Sequence, residues 1–239
     1  DVYDIDLFDV SKSTITSIKN QGRKVICYFS GGSSEDWRSD YSMFEAENGA
    51  VMGNALDGWE GERWLDVTRW DILEPIMSAR MELAVTKGCD GVEPDNMDGY
   101  QNSNGFNLQY SDQLLYNQRI AELAHSLGLA VGLKNDLDQI SALVDYFDFA
   151  VNEECNAWDE CSMLQPFLDD NKAVFGAEYE LKVQDYCSET NAMDMDFLAK
   201  NWDLDSCVYA CRDYPSASTP SCLTDGLPSA YTGSSGFAD

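Results

Sequence analysis

Short runs rich in β-branched and aromatic residues alternate along the chain with segments whose apolar positions recur every three or four residues. The runs at residues 2–8 (VYDIDLF), 24–30 (KVICYFS), 91–95 (GVEPD), 129–135 (LAVGLKN), 147–153 (FDFAVNE), 173–179 (AVFGAEY) and 206–212 (SCVYACR) predict seven strands. Helical periodicity predicts helices at 72–86, 111–127 and 138–146, each closing near a turn residue before the next strand. This alternation predicts α/β architecture with a parallel sheet. The run WLDV at 64–67 lies shortly before a helix, in a Gly-containing segment, and reads as a loop or a short extra strand.

A (β/α)8 barrel of the TIM type accounts for the strand count if its first strand is absent from this chain, making 2–8 the second strand. An open doubly wound sheet is the alternative. It would carry a Gly-rich phosphate loop after its first strand, and none follows here. At 239 residues the expectation is a single catalytic domain spanning 1–239. Its Ser/Pro/Gly-rich stretch 215–239 would wrap the barrel as a tail pinned by Cys222.

Charge changes the picture next, because 43 acidic residues against 15 basic ones give a net charge of −28. That balance excludes nucleic acid as a partner, since phosphate binding needs Lys and Arg. It serves solubility, and it also attracts a polycation. Eight cysteines, none in a paired zinc pattern, predict disulfides and a secreted protein. The only histidine, His125, falls on the face of an amphipathic helix, so neither a metal nor a cofactor is expected. No run approaches the ~20 apolar residues of a membrane span, no signal peptide precedes Asp1, and the chain reads as mature or trimmed. No Asn-x-Ser/Thr sequon occurs. Nothing suggests an oligomer, and a monomer is the default.

Barrel enzymes place reacting groups at the carboxyl ends of strands, so polar residues that interrupt apolar strands there are informative. Asp6, the Glu93–Asp95 pair, Lys134 with Asn135, Asn152 with Glu153, and Glu178 all take such positions. Carboxylates without a usable histidine point to glycoside hydrolysis, in which one carboxylic acid protonates the leaving oxygen and one carboxylate serves as nucleophile or base. Asp95 and Glu153 are the outermost carboxylates of their strands, the fourth and sixth by this numbering. The period of two puts Glu93 with Asp95 on one face and turns Glu154 outward. Lys134 is expected to moderate the acidic field, as an ion-pair partner of Glu93 or Asp95.

Six separated segments, KVICYFSGGSSEDWRSD, GWEGERWLDV, GCDGVEPDNMDGY, GLKND, FAVNEEC and AVFGAEY, resemble the endo-α-1,4-polygalactosaminidases of glycoside hydrolase family 114 over nearly the whole chain. The resemblance implies a (β/α)8 barrel, hydrolysis of α-1,4-linked galactosamine, and catalytic carboxylates at Asp95 of VEPDN and Glu153 of VNEEC. Members of that family begin with a Trp-rich strand ahead of the segment at Val2, which this chain lacks. A deacetylated amino-sugar polymer is a row of ammonium groups, which gives the acidity a chemical meaning.

Asp6, Glu93, Asn96, Lys134, Asn135, Asn152 and Glu178 are then candidate substrate contacts. Tyr28, Trp59, Trp64, Tyr100 and Tyr179 could stack on sugar faces, with Trp64 and Tyr179 favoured. By analogy with barrel glycosidases, Asp95 is nucleophile or base and Glu153 the acid. On this fold Cys27–Cys89 and Cys155–Cys161 are expected pairs. Of three connectivities for the other four cysteines, Cys187–Cys207 with Cys211–Cys222 is preferred. Rival readings are a non-catalytic glycan-binding barrel, a hydrolase of acetylated or neutral α-glycans, and a calcium loop at 95–105, which lacks the closing Glu because position 106 is Phe.

Overall fold

The computed structural model describes residues 2–223, and the apolar runs of the first half form a parallel set of strands. β1 (Val2–Asp6), β2 (Lys24–Ser30), β6 (Gly91–Asp95) and β7 (Ala130–Lys134) lie in that order. β2 and β6 are buried over most of their length, as strands covered on both faces must be. The parallel register places Tyr28 beside Asp6 on one side and Glu93 on the other.

The linking helices are α1 (Lys12–Lys19), α3 (Trp70–Lys87), α4 (Tyr110–Ser126) and the short α5 (Ile140–Leu143). Gly88 ends α3 in a left-handed cap, while Gln109 and Asp112 close a capping box on α4. The helix expected over 138–146 is reduced to a 3-10 turn followed by α5. Between β2 and α3 sits a small antiparallel sheet whose first strand precedes the turn α2 (Ala46–Gly49) and whose other two follow it. It comprises β3 (Ser33–Glu35), β4 (Met52–Ala55) and β5 (Glu62–Leu65), with β5 central, so WLDV begins inside a strand. These elements, residues 2–148 of those described, make one compact unit.

Residues 149–223 make a second unit, in which β8 (Phe149–Glu153), β9 (Ala173–Glu178) and β10 (Asp196–Lys200) run parallel. Two helices connect them, α6 (Gln165–Asp169) and α7 (Val183–Ala192). β10 was not anticipated, and the expected strand at 206–212 is shorter and different in kind. It appears as β11 (Val208–Ala210), antiparallel to β10. The reason is connection length. Seven residues separate β10 from β11, enough for a hairpin and too few for the crossover a parallel pair requires. The part of the expected tail beyond residue 223 lies outside the described residues.

Four disulfides join all eight cysteines. Cys27–Cys89 links β2 to the entry of β6, and Cys155–Cys161 closes a short loop after Glu153, both as expected. The other two differ from expectation, being Cys187–Cys211 and Cys207–Cys222. α7 packs on the turn Cys211–Asp213, which brings Cys187 to Cys211. Cys207, at the opposite end of β11, is left to hold the chain at Cys222.

Arg80 of α3 anchors the first unit. Only 1% exposed, it forks onto the Asp40 carboxylate at 2.7 and 3.0 Å and donates to the Ser30 carbonyl at 2.7 Å. The Phe8, Phe29 and Phe44 rings surround its guanidinium. Replacing this cation strands Asp40 and the Ser30 carbonyl. We expect Arg80→Met to lower unfolding free energy by about 3–5 kcal/mol, read from urea denaturation.

Candidate active site

Asp95 ends β6, and its position is set from above by backbone. The loop after β2 lays the amides of Gly31 and Gly32 on the Asp95 carbonyl at 2.8 and 2.9 Å. A Cβ on Gly32 would fall 1.7 Å from the Asn96 carbonyl oxygen, so only glycine permits this approach. Asn96 then turns into the left-handed region at φ 60° and donates its amide to Asp95 Oδ1 at 2.8 Å. Its side-chain amide reaches Ser30 Oγ at 3.0 Å and Ser33 Oγ at 3.3 Å. The Tyr28 hydroxyl donates to the other oxygen, Oδ2, at 3.0 Å.

Beneath Asp95 lies Lys134, 5% exposed at the end of β7. Its Nζ stands 3.2 Å from Asp95 Oδ1 and 3.3 Å from Glu93 Oε1, so the two strand-mates share a face as the period of two predicts. Glu93 also hydrogen-bonds the carboxyl of Asp4, a pairing that requires one shared proton. Burial lifts Glu93 well above the carboxylate range, with the Asp4 charge adding and Lys134 pulling it down, and Asp4, on the exposed stretch of β1, is raised to about 6. Burial also raises the Tyr28 phenol, with the Asp95 charge adding to it. Asp4 was missed by sequence reasoning, although it sits two residues before Asp6 in the same alternation.

Other expected contacts have structural occupations. Asp6 accepts from the amides of Phe8 and Asp9 and is clamped by Arg38, which also holds Glu35. Trp64 is 8% exposed, with its ring edge against Gly99. Trp59 is half exposed on the β4–β5 turn. His125 sits at the surface against Asp148. In the proposed calcium loop, Asn104 spends its side chain on Gly99, Asn102 and Phe106 backbone. Asn135 takes a left-handed φ of 50° just past β7.

Beyond Asn135, Asp136 is buried, its Oδ2 accepting from Asn117 at 2.9 Å and its Oδ1 without a partner. Burial, with Asp98 adding, pushes it to about 9. Its interaction with the half-buried Tyr100 opposes this rise. Asp136 closes the GLKND segment that carries the family resemblance but was not singled out as a site residue.

In the second unit, Glu153 ends β8 and accepts a short hydrogen bond from the Tyr179 hydroxyl. Tyr179 stacks on Trp202 with ring centroids 4.4 Å apart, a partner that sequence reasoning overlooked. Asn152 is buried and accepts the Cys155 amide at 3.1 Å, fixing the turn into the Cys155–Cys161 loop. Glu178, 1% exposed, accepts both the amide and the side chain of Asn156 on one oxygen, each at 2.8 Å. The strand ends at Glu153, and Glu154 follows it at φ 65°, half-buried, where burial first and then the charges of Glu178, Glu180 and Glu153 push its carboxyl up to about 7.

Two outcomes follow from these contacts. Tyr28→Phe removes one of the donors on Asp95 and should lower kcat by about tenfold with folding intact, measured by steady-state kinetics and thermal unfolding. Asp136 has a raised folded pKa, so its stability contribution is present below its unfolded value and is lost as pH rises toward about 9. Asp136→Asn should flatten that alkaline loss of stability, seen in urea midpoints measured across pH.

No curated protein sequence matches the chain. The model of glycoside-hydrolase family GH114 matches residues 1–216. Among solved structures, Aspergillus fumigatus Ega3 in complex with galactosamine superposes with TM-score 0.82 and 38% identity, over 88% of this chain and 87% of that one. The glycoside hydrolase domain of PelA from Pseudomonas aeruginosa gives TM-score 0.67 at 11% identity, over 87% and 90%, a likeness of fold alone. The fold class is thus α/β of the TIM-barrel type, as the strand pattern predicts. With a family match over most of its length and a relative of this identity, the chain belongs to glycoside-hydrolase family GH114 and is a glycoside hydrolase.

Proposed function

We propose that this enzyme is a secreted, monomeric, single-domain endo-hydrolase of α-1,4-linked galactosamine polymers, with Asp95 and Glu153 as its two carboxylates. The observation that carries the substrate is the 38% identity, over most of both chains, with Ega3, whose crystal holds galactosamine. The charge of −28 supports a cationic polymer as ligand. Four disulfides, with no helix among the described residues long and apolar enough to cross a membrane, support an extracellular setting.

Asp95 is the nucleophile or base in this reading. Three donors converge on its carboxylate, the Tyr28 hydroxyl, the Asn96 amide and the Lys134 ammonium, presenting it as an acceptor in a fixed orientation. Glu153, held by Tyr179, is the acid that protonates the leaving oxygen. Lys134, Tyr28 and Asn96 position Asp95. Asn152, Asn135 and Glu178 are assigned to substrate binding or its support.

Asp95→Asn and Glu153→Gln should each cut cleavage of deacetylated galactosamine oligomers by about 10²–10⁴, followed by chromatography of the shortened products. Full activity in either variant would remove it from the reaction, and binding without cleavage by wild type would favour a lectin-like role. NMR of the first anomer released reports the mechanism. Retention corresponds to carboxyls about 5–5.5 Å apart and inversion to about 6.5–9.5 Å.

A further inference from the structure

The small antiparallel sheet between β2 and α3 carries a buried carboxyl that the two-carboxylate mechanism does not use. Ser33 of β3 stands opposite Trp64 of β5, so Glu62, two residues before Trp64, shares that face and lies diagonally across from Ser33. Glu62 is 6% exposed, and Ser30 and Ser33 are fully buried.

A continuous run of hydrogen bonds leads from this carboxyl to Asp95. The Ser33 hydroxyl donates to Glu62 Oε2 at 2.6 Å, and Ser30 Oγ lies 2.5 Å from Ser33 Oγ. The Asn96 side-chain amide donates to Ser30 and Ser33, and the backbone amide of the same residue donates to Asp95 Oδ1.

Counting hydrogens fixes the direction of every bond in the run. A serine hydroxyl has one hydrogen, and that of Ser33 is spent on Glu62, so the hydrogen between the two serines belongs to Ser30. Ser33 Oγ then accepts from Ser30 and Asn96, while Ser30 Oγ accepts from Asn96 and from the Ser33 amide at 3.0 Å. Both hydroxyls are saturated. If Glu62 were protonated and donating, the Ser33 hydrogen would turn to Ser30 and bring three donors to two lone pairs, so that a contact with Asn96 is lost. The ionised carboxylate of Glu62 is what holds the serines in the direction that receives Asn96. Asn96 needs that hold, because its left-handed φ of 60° is unfavourable for a residue with a Cβ, and its amide reaches Asp95 from that conformation.

We propose that Glu62 is a positioning residue for Asp95, acting through Ser33, Ser30 and Asn96 to keep the Asn96 amide on the Asp95 carboxylate. The assignment rests on the reading of Asp95 as a reacting group and carries its support one layer outward, into the small sheet. Burial raises Glu62 to about 7, with the Ser33 hydrogen bond opposing the rise and the charges of Glu35 and Asp95 adding to it. The charged and titratable groups facing it are Glu35, Arg38, Asp95 and Tyr28. Glu62 is thus an ionised acceptor above about pH 7 and loses that role as pH falls through this value.

Steady-state cleavage of deacetylated galactosamine oligomers by Glu62→Gln, Ser33→Ala and the double variant, with thermal unfolding alongside, tests the role. Each single change should lower kcat about tenfold while KM stays within about threefold. The double variant should fall less than about threefold below the weaker single one, because both changes cut the same run. The part of wild-type kcat that is lost as pH falls through about 7 should be absent in Glu62→Gln.

If these variants do not fold, NMR of the wild type decides, since the side-chain amide of Asn96 should titrate with a midpoint near 7. Effects that multiply in the double variant, or an Asn96 side-chain signal that stays fixed through that range, overturn the assignment. An inactive Asp95→Asn beside a Glu62→Gln with wild-type kcat and pH profile would refute the positioning role alone. A fully active Asp95→Asn, in a protein whose Asn96 signal does titrate near 7, would refute the catalytic reading of Asp95 and leave the link to Glu62 intact.

Discussion

One cation serves three carboxyl groups in the first unit, and the arrangement around Asp95 follows from that shortage. Lys134 touches Asp95 and Glu93, and Glu93 in turn touches Asp4. Glu93 is buried and Asp4 bonds it, so the pair Asp4–Glu93 retains a proton. That proton lowers the negative charge that Lys134 must balance alongside Asp95.

The two proposed catalytic carboxylates are supported in different ways. Asp95 lies among donors, which are a phenol, a backbone amide and an ammonium. Glu153 accepts from a tyrosine hydroxyl, and a second carboxylate, Glu154, follows it directly in the chain.

The parallel strands and the strand-end carboxylates were legible in the sequence because both depend on alternation, which is local. All seven expected strands occur with the same ends or within two residues of them, although the last, β11, is antiparallel to its neighbour. β10 was missed because DFLAK is short and half polar, and β11 was misread because hairpin and crossover differ in connection length rather than composition. The Cys187–Cys211 bond depends on how α7 packs, which no cysteine spacing encodes. The period of two holds only while the backbone is extended, and the left-handed Glu154 directly after β8 lies beyond its reach. Asp136, although it closes the GLKND segment, and Trp202 acquire their surroundings from distant segments, so their partners were not legible beside them in sequence.

The contact of Gly31 and Gly32 with Asp95 and Asn96 has a bearing on how this region can diverge. Two backbones meet there at a distance that excludes a Cβ, and the hydrogen bonds run between main-chain atoms. The join therefore admits no side chain at Gly32 and leaves little room for one at Gly31, where a Cβ would stand 2.8 Å from Met97 Sδ and 2.9 Å from Pro94 Cβ. A mutational scan of the segment would show a near-absolute demand for glycine at Gly32, and a demand at Gly31 that relaxes only as far as the Met97 side chain can give way. The site is kept in place there by the absence of atoms.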